Sequence, residues 1–117
     1  MYSRWFASLC LFGALCLCLP AIAANTTRVS VSSTGSEANG MCEGASTSAD
    51  GRLVAFSSYA SNLVSSDING AMDIFRKDLQ TLEIIRCSAS SAGIGGDGAS
   101  GGYSSMTPDG RYVFFCN

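Results

Sequence analysis

Ser48-Ala49-Asp50-Gly51-Arg52-Leu53-Val54-Ala55-Phe56-Ser57-Ser58 is the stretch on which the fold turns. Asp50-Gly51 is a turn signal, with Gly supplying the left-handed backbone of a three-residue hairpin loop with a bulge. Beyond it Leu53 and Ala55 alternate with Val54 and Phe56, so both faces of this strand are apolar and both are covered. Residues 102–117 repeat the pattern. Asp109-Gly110-Arg111 matches Asp50-Gly51-Arg52, Val113 matches Val54, and Phe115 matches Phe56, all at an offset of 59. Upstream, Arg28, Ser33, Gly35 and Gly40 meet Arg86, Ser91, Gly93 and Gly98 at an offset of 58. One inserted residue joins the two registers. The chain is therefore built on a unit of about 58 residues, present as one full copy and half of another.

Each unit reads as four strands, over about 44–48, 52–59, 72–78 and 82–88. Leu79-Gln80-Thr81 turns the third strand into the fourth. Long loops follow over about 60–71 and 89–100. Beyond residue 23 no helical periodicity of useful length appears, so the expected class is all-β.

Ser48 to Ser58 resembles the opening of the WD40-like (PD40, TolB-like) β-propeller repeat. Asp73-Ile74-Phe75-Arg76-Lys77-Asp78-Leu79-Gln80-Thr81 resembles the third strand and turn of that repeat. The resemblance covers nearly all of residues 26–117. It implies blades of four antiparallel strands: blade one over about 44–88, and the start of blade two over about 101–117. It also implies that Thr26 to Ser32 is an outer strand closing the ring onto a final blade. A ring takes about 4–8 blades, or roughly 230–470 residues at this unit length. The expectation is thus the front part of a longer protein, a truncated frame, or assembly of several copies. Residues 24–117 alone are expected to fold poorly, or to self-associate through the strand edge at Tyr112 to Cys116.

The first 23 residues have a different character. They hold 18 of the chain's 55 hydrophobic residues, against 37 of the remaining 94. Arg4 precedes an apolar run from Trp5 to Leu19, Pro20 ends it, and Ala21-Ile22-Ala23 follows. This is the form of a secretory signal peptide cut between Ala23 and Ala24. The run is shorter than the roughly 20 residues of a membrane-spanning helix. Leu9, Leu15 and Leu17 precede Cys10, Cys16 and Cys18, where a lipoprotein cut wants small residues. The expected destination is the periplasm or the exterior, without stable membrane insertion after the signal is removed. There Cys42, Cys87 and Cys116 meet oxidising conditions. Three is an odd number, so at least one thiol is free or pairs with another chain; which of them pair stays open. Asn25-Thr26-Thr27 is a glycosylation sequon if the source is eukaryotic.

Composition narrows the chemistry. Seven Lys and Arg against nine Asp and Glu give a net charge of −2, a poor basis for binding nucleic acid. With no His, Ser-His-Asp catalysis has no base. Gly102-Tyr103-Ser104-Ser105-Met106 opens like a nucleophile elbow but lacks its closing Gly. Asp50 and Asp109 sit in hairpin turns, where Asp serves the backbone. No catalytic residue is assigned. Asp67, Asn69 and Asp73 have the spacing of a short calcium loop with Gly70 at the bend, and calcium is the one cofactor to weigh. With only two charged ligands, a tight turn into the next strand competes. Arg76 and Lys77 read as an exposed basic pair on a solvated strand face.

The expected function is an exported, non-catalytic β-propeller segment that binds or scaffolds a protein partner through its long loops. Two alternatives stand beside it. One is the propeller domain of a larger hydrolase, such as a prolyl-oligopeptidase-like peptidase. The other is a calcium-dependent surface adhesion protein.

Overall fold

The computed structural model describes residues 26–96 and 98–116. The signal-peptide reading of residues 1–23, its cut at Ala24 and the start of the sequon at Asn25 lie outside the described residues.

The described chain is all-β, with no helix among the described residues. Four strands, β1 (Cys42–Thr47), β2 (Leu53–Ser58), β3 (Asp73–Asp78) and β4 (Ile84–Arg86), form an antiparallel sheet in chain order. A second sheet pairs β5 (Ser104–Met106) with β6 (Val113–Phe115). All four expected strands are present; β1 begins two residues earlier than expected, and β2, β3 and β4 are shorter than their sequence limits. Thr26 to Ser32 enters neither sheet. Val31 makes a single antiparallel bridge with Glu37, since Ser32 to Ser36 folds the segment back on itself.

The two Asp-Gly turns share one hydrogen-bond plan. Ser48 Oγ donates to Asp50 Oδ1 at 2.6 Å and accepts the Leu53 N–H, while Asp50 Oδ1 accepts the Arg52 N–H. Thr107, Asp109, Arg111 and Tyr112 repeat these bonds 59 residues on. Gly51 and Gly110 have φ of 71° and 72°, which explains the Gly at both positions. Each loop is one residue longer than expected. Ser48 N–H reaches Leu53 O, and Thr107 N–H reaches Tyr112 O, closing four residues. The Ser or Thr hydroxyl takes the returning N–H that a shorter loop would give to a carbonyl.

A second recurrence sits at offset 58. Ser32 N–H donates to Ser36 O and Gly35 N–H to Ser32 O; Ser90 N–H donates to Ile94 O and Gly93 N–H to Ser90 O.

β2 is buried on both faces, as its alternation requires. One face meets the core cluster of Phe56, Ala60, Leu63, Phe75 and Ile84, flanked by Val29, Ala38, Cys42 and Val64. The Phe56 and Phe75 rings lie 5.9 Å apart, tilted by 30°. The other face of β2, with Leu53, Ala55 and Ser57, receives the second sheet. Ser104 Oγ donates to Gly44 O at 3.0 Å, Ala49 N–H donates to Pro108 O, and Gly110 lies against Leu53.

Lys77 corrects the sequence expectation. Rather than extending from an exposed face, it is 1% exposed. β2 and β4 pair with the two edges of β3, and residues 31–32 and Leu82 close over the Lys77 ammonium. The Lys77 ammonium donates to Leu82 O at 2.6 Å and to Val31 O and Ser32 O at 3.1 Å each. Three carbonyls replace its water shell, and burial still pulls its pKa below the ordinary lysine value. Lys77 thereby ties residues 31–32 to the sheet. Arg76 beside it is half-buried.

Candidate functional site where the two long loops meet

The loops expected over 60–71 and 89–100 converge beside the C-terminal residue of β4, Arg86. Its guanidinium lies between two carboxylates, 3.4 Å from Asp67 Oδ1 and 3.5 Å from Asp73 Oδ2. It also donates to Ser66 O at 3.2 Å. All three charged side chains are at least 95% buried. A Cβ at Gly95 would run into the Arg86 guanidinium, so a side chain there would have to displace it from its two carboxylates.

Asp73 opens β3, and its second oxygen accepts the Ser88 hydroxyl at 2.6 Å. Ser88 Oγ in turn accepts the Ile74 N–H. Asn69 closes the far side. Its Oδ1 accepts the Ala71 N–H, and its Nδ2 donates to Gly96 O at 2.9 Å. Arg86 and Asn69 thus each join the 60–71 loop to another part of the unit.

Burial raises the Asp67 carboxyl above its ordinary value; the Asp73 charge adds to the rise, and Arg86 opposes it. Two carboxylates thus share one guanidinium. Breaking such a buried set costs far more than assembling it gains.

The candidate residues divide by position. Asp67 and Asp73 do come together, but around Arg86; Asn69 is directed to Gly96. Among the described residues no group of three or more Cys, His, Asp or Glu side chains is arranged to hold a metal ion. Asp50 and Asp109 stay in their turns, each lowered in pKa first by the Ser48 or Thr107 hydroxyl. Ser104 spends its hydroxyl on Gly44 O. Cys42, Cys87 and Cys116 are free thiols, and burial pushes Cys87 up from its ordinary value. Arg86 was not singled out as a site residue by the sequence. Its one signal was the match to Arg28 at offset 58, and Arg28 itself pairs with exposed Glu37 at 2.6 Å.

Above the ion cluster lies a recess of about 380 Å³, lined by Ser66, Ile68, Asn69, Arg86, Ile94 and Gly93, Gly95 and Gly96. Ile68 is 92% exposed and Ile94 70% exposed. Two aliphatic side chains therefore stand in water on loops anchored from below. Such a surface suits an apolar side chain of a partner ringed by polar backbone. No family model, curated protein or solved structure matches this chain.

Proposed function

We propose that the chain is an exported, non-catalytic segment of a β-propeller that binds a protein partner through the recess between its two long loops. The observation that carries this reading is the pair Ile68 and Ile94, exposed on loops that Arg86 and Asn69 pin to the sheet. Exposed apolar side chains on an anchored scaffold bind without a large ordering cost. A four-stranded antiparallel sheet followed by a strand pair with the same turn bonds supports the propeller reading. The basic, apolar and small-residue order of residues 1–23 supports export. Calcium-dependent adhesion has less support, because Asp67 and Asp73 already face the Arg86 cation.

The test compares the full chain with an Ile68→Ser/Ile94→Ser variant as bait for the extracytoplasmic proteins of its source. A specific partner retained by the parent chain, lost on the double variant and kept by a Leu82→Ser control supports the reading. Equal retention by all three overturns the assignment of this recess. Turnover of a peptide, ester or glycoside that vanishes on a point substitution would overturn the non-catalytic reading.

A further inference from the structure

The two sheets of the chain pack face to face. The geometry of this contact is specific. The inner face of the β5–β6 sheet carries Ser104, Met106, Val113 and Phe115, with Met106 buried. That face packs on the Ser46, Leu53, Ala55 and Ser57 face of β1–β2. Each participant has a counterpart 59 residues away. Ser104, Met106, Val113 and Phe115 correspond to Ala45, Thr47, Val54 and Phe56. Ser46, Leu53, Ala55 and Ser57 correspond to Ser105, Tyr112, Phe114 and Cys116.

The counterpart faces are accessible to different degrees. Val29, Ser30, Cys42, Glu43, Gly44, Ala45, Val54 and Phe56 line a groove of about 250 Å³ on the first sheet, with Ala45 exposed at its rim and Val54 and Phe56 forming its buried floor. On the opposite side of the molecule Tyr112 and Phe114 are 57% and 61% exposed, and Cys116 is exposed beside them. The groove thus has the strand positions of the docking sheet, and the exposed aromatic face those of the receiving sheet.

We propose that the chain self-associates head to tail, the Tyr112–Phe114 face of one copy seating on the Ala45–Val54–Phe56 groove of the next. The occupant is a second copy because the same strand positions already pack this way within the chain. Phe114 stands where the first unit has Ala55, and it supplies the bulk for the groove that Ala45 leaves open. The contact is heterologous, so it propagates into open chains or closes into a ring, according to the rotation between copies. This inference rests on the sheet packing and does not depend on export or on the loop recess.

The experiment is sedimentation velocity of the purified full chain over a concentration series, with Ala45→Arg and Phe114→Ser variants. Both side chains are exposed, and circular dichroism checks that each variant keeps the parent fold. Thr47→Arg and Tyr112→Ser give a second pair if either fails. The parent chain is expected to form dimers and larger species as concentration rises, and each variant alone to stay monomeric. An equimolar mixture of the two variants retains one intact groove and one intact aromatic face, so it should restore a dimer and nothing larger. A monomeric parent chain overturns the proposal. So do variants that associate as the parent does, which would indicate pairing along the β6 edge, or a mixture that restores nothing.

Discussion

The carbonyl oxygen of Gly102 stands 2.6 Å from the point where a side chain at Gly44 would begin. Gly44 also has φ of 63° within β1, at the irregularity in pairing between Glu43 and Ser46. One position therefore meets two demands, a left-handed backbone and close approach of the second sheet. Gly44→Ala should cost at least about 1 kcal/mol from the backbone alone, with a further loss as Gly102 is displaced. Denaturant unfolding measures the total. Amide exchange should show Ser104 to Met106 losing protection before β2 and β3. A variant as stable as the parent would show that the two sheets are not packed through this contact.

Arg52 and Asp78 join the first hairpin to the turn after β3. The guanidinium reaches both carboxylate oxygens, at 2.7 to 3.1 Å. Asp78 Oδ1 also accepts the N–H of Gln80 and Thr81. Arg52 first, then these amides, hold the Asp78 carboxyl well below the usual carboxylate range. A depressed folded value means that the stabilisation is present above the unfolded carboxylate pKa of about 3.9. It is lost as pH falls from there toward the folded value. Asp78→Asn should lower stability at pH 7 and flatten the decline below about pH 4. Thermal melts at pH 7, 4 and 3 check it; parallel declines in parent and variant would count against the pair.

How far the sequence could be read depended on the range over which each feature is decided. The strands around Asp50-Gly51 and Asp109-Gly110 were legible because alternation and turn chemistry act within about ten residues. The site was legible in part. Asp67 and Asp73 stood out by spacing, but their common partner Arg86 is 19 and 13 residues away, and only the β3–β4 pairing brings it in. Lys77 was misread because charge on a strand usually marks a wet face. Its burial follows from a segment whose carbonyls lie 45 and 46 residues distant in the chain. Gly95 carried no local signal, because what a side chain there would displace is the guanidinium of Arg86.

Lys77 leads to a prediction about the 29–38 segment. Its ammonium is the donor for Val31 O and Ser32 O. Lys77→Met keeps most of the apolar stem but leaves these carbonyls and Leu82 O without that donor. Hydrogen bonds to charged groups contribute about 1.5–3 kcal/mol. Removal of the buried charge offsets part of this loss, so a net destabilisation of about 1–2 kcal/mol is expected. Exchange protection should fall first at Val31, Ser32 and Ala38, whose amides bond within the tied segment. Unchanged protection there would mean that Lys77 does not hold the segment.

The sharpest pH prediction concerns Arg86→Met. In the parent chain Arg86 opposes the upward shift that burial and Asp73 impose on Asp67. Without the guanidinium, two buried carboxylates face each other uncompensated, and the Asp67 carboxyl moves further up. A buried pair broken from one side typically costs about 3–5 kcal/mol. The sign with pH then runs opposite to that for Asp78. A raised folded carboxyl binds a proton in the folded state before the unfolded chain does. Stability therefore increases as pH falls through the raised value, and the gain is complete near the unfolded value of about 3.9. Arg86→Met should be markedly less stable than the parent at pH 7 and should recover part of the deficit at pH 5. Urea unfolding at both values measures this, with Asp67→Asn/Arg86→Met as the control in which the recovery shrinks. A deficit equal at pH 7 and pH 5 would show that Asp67 and Asp73 do not share the Arg86 charge.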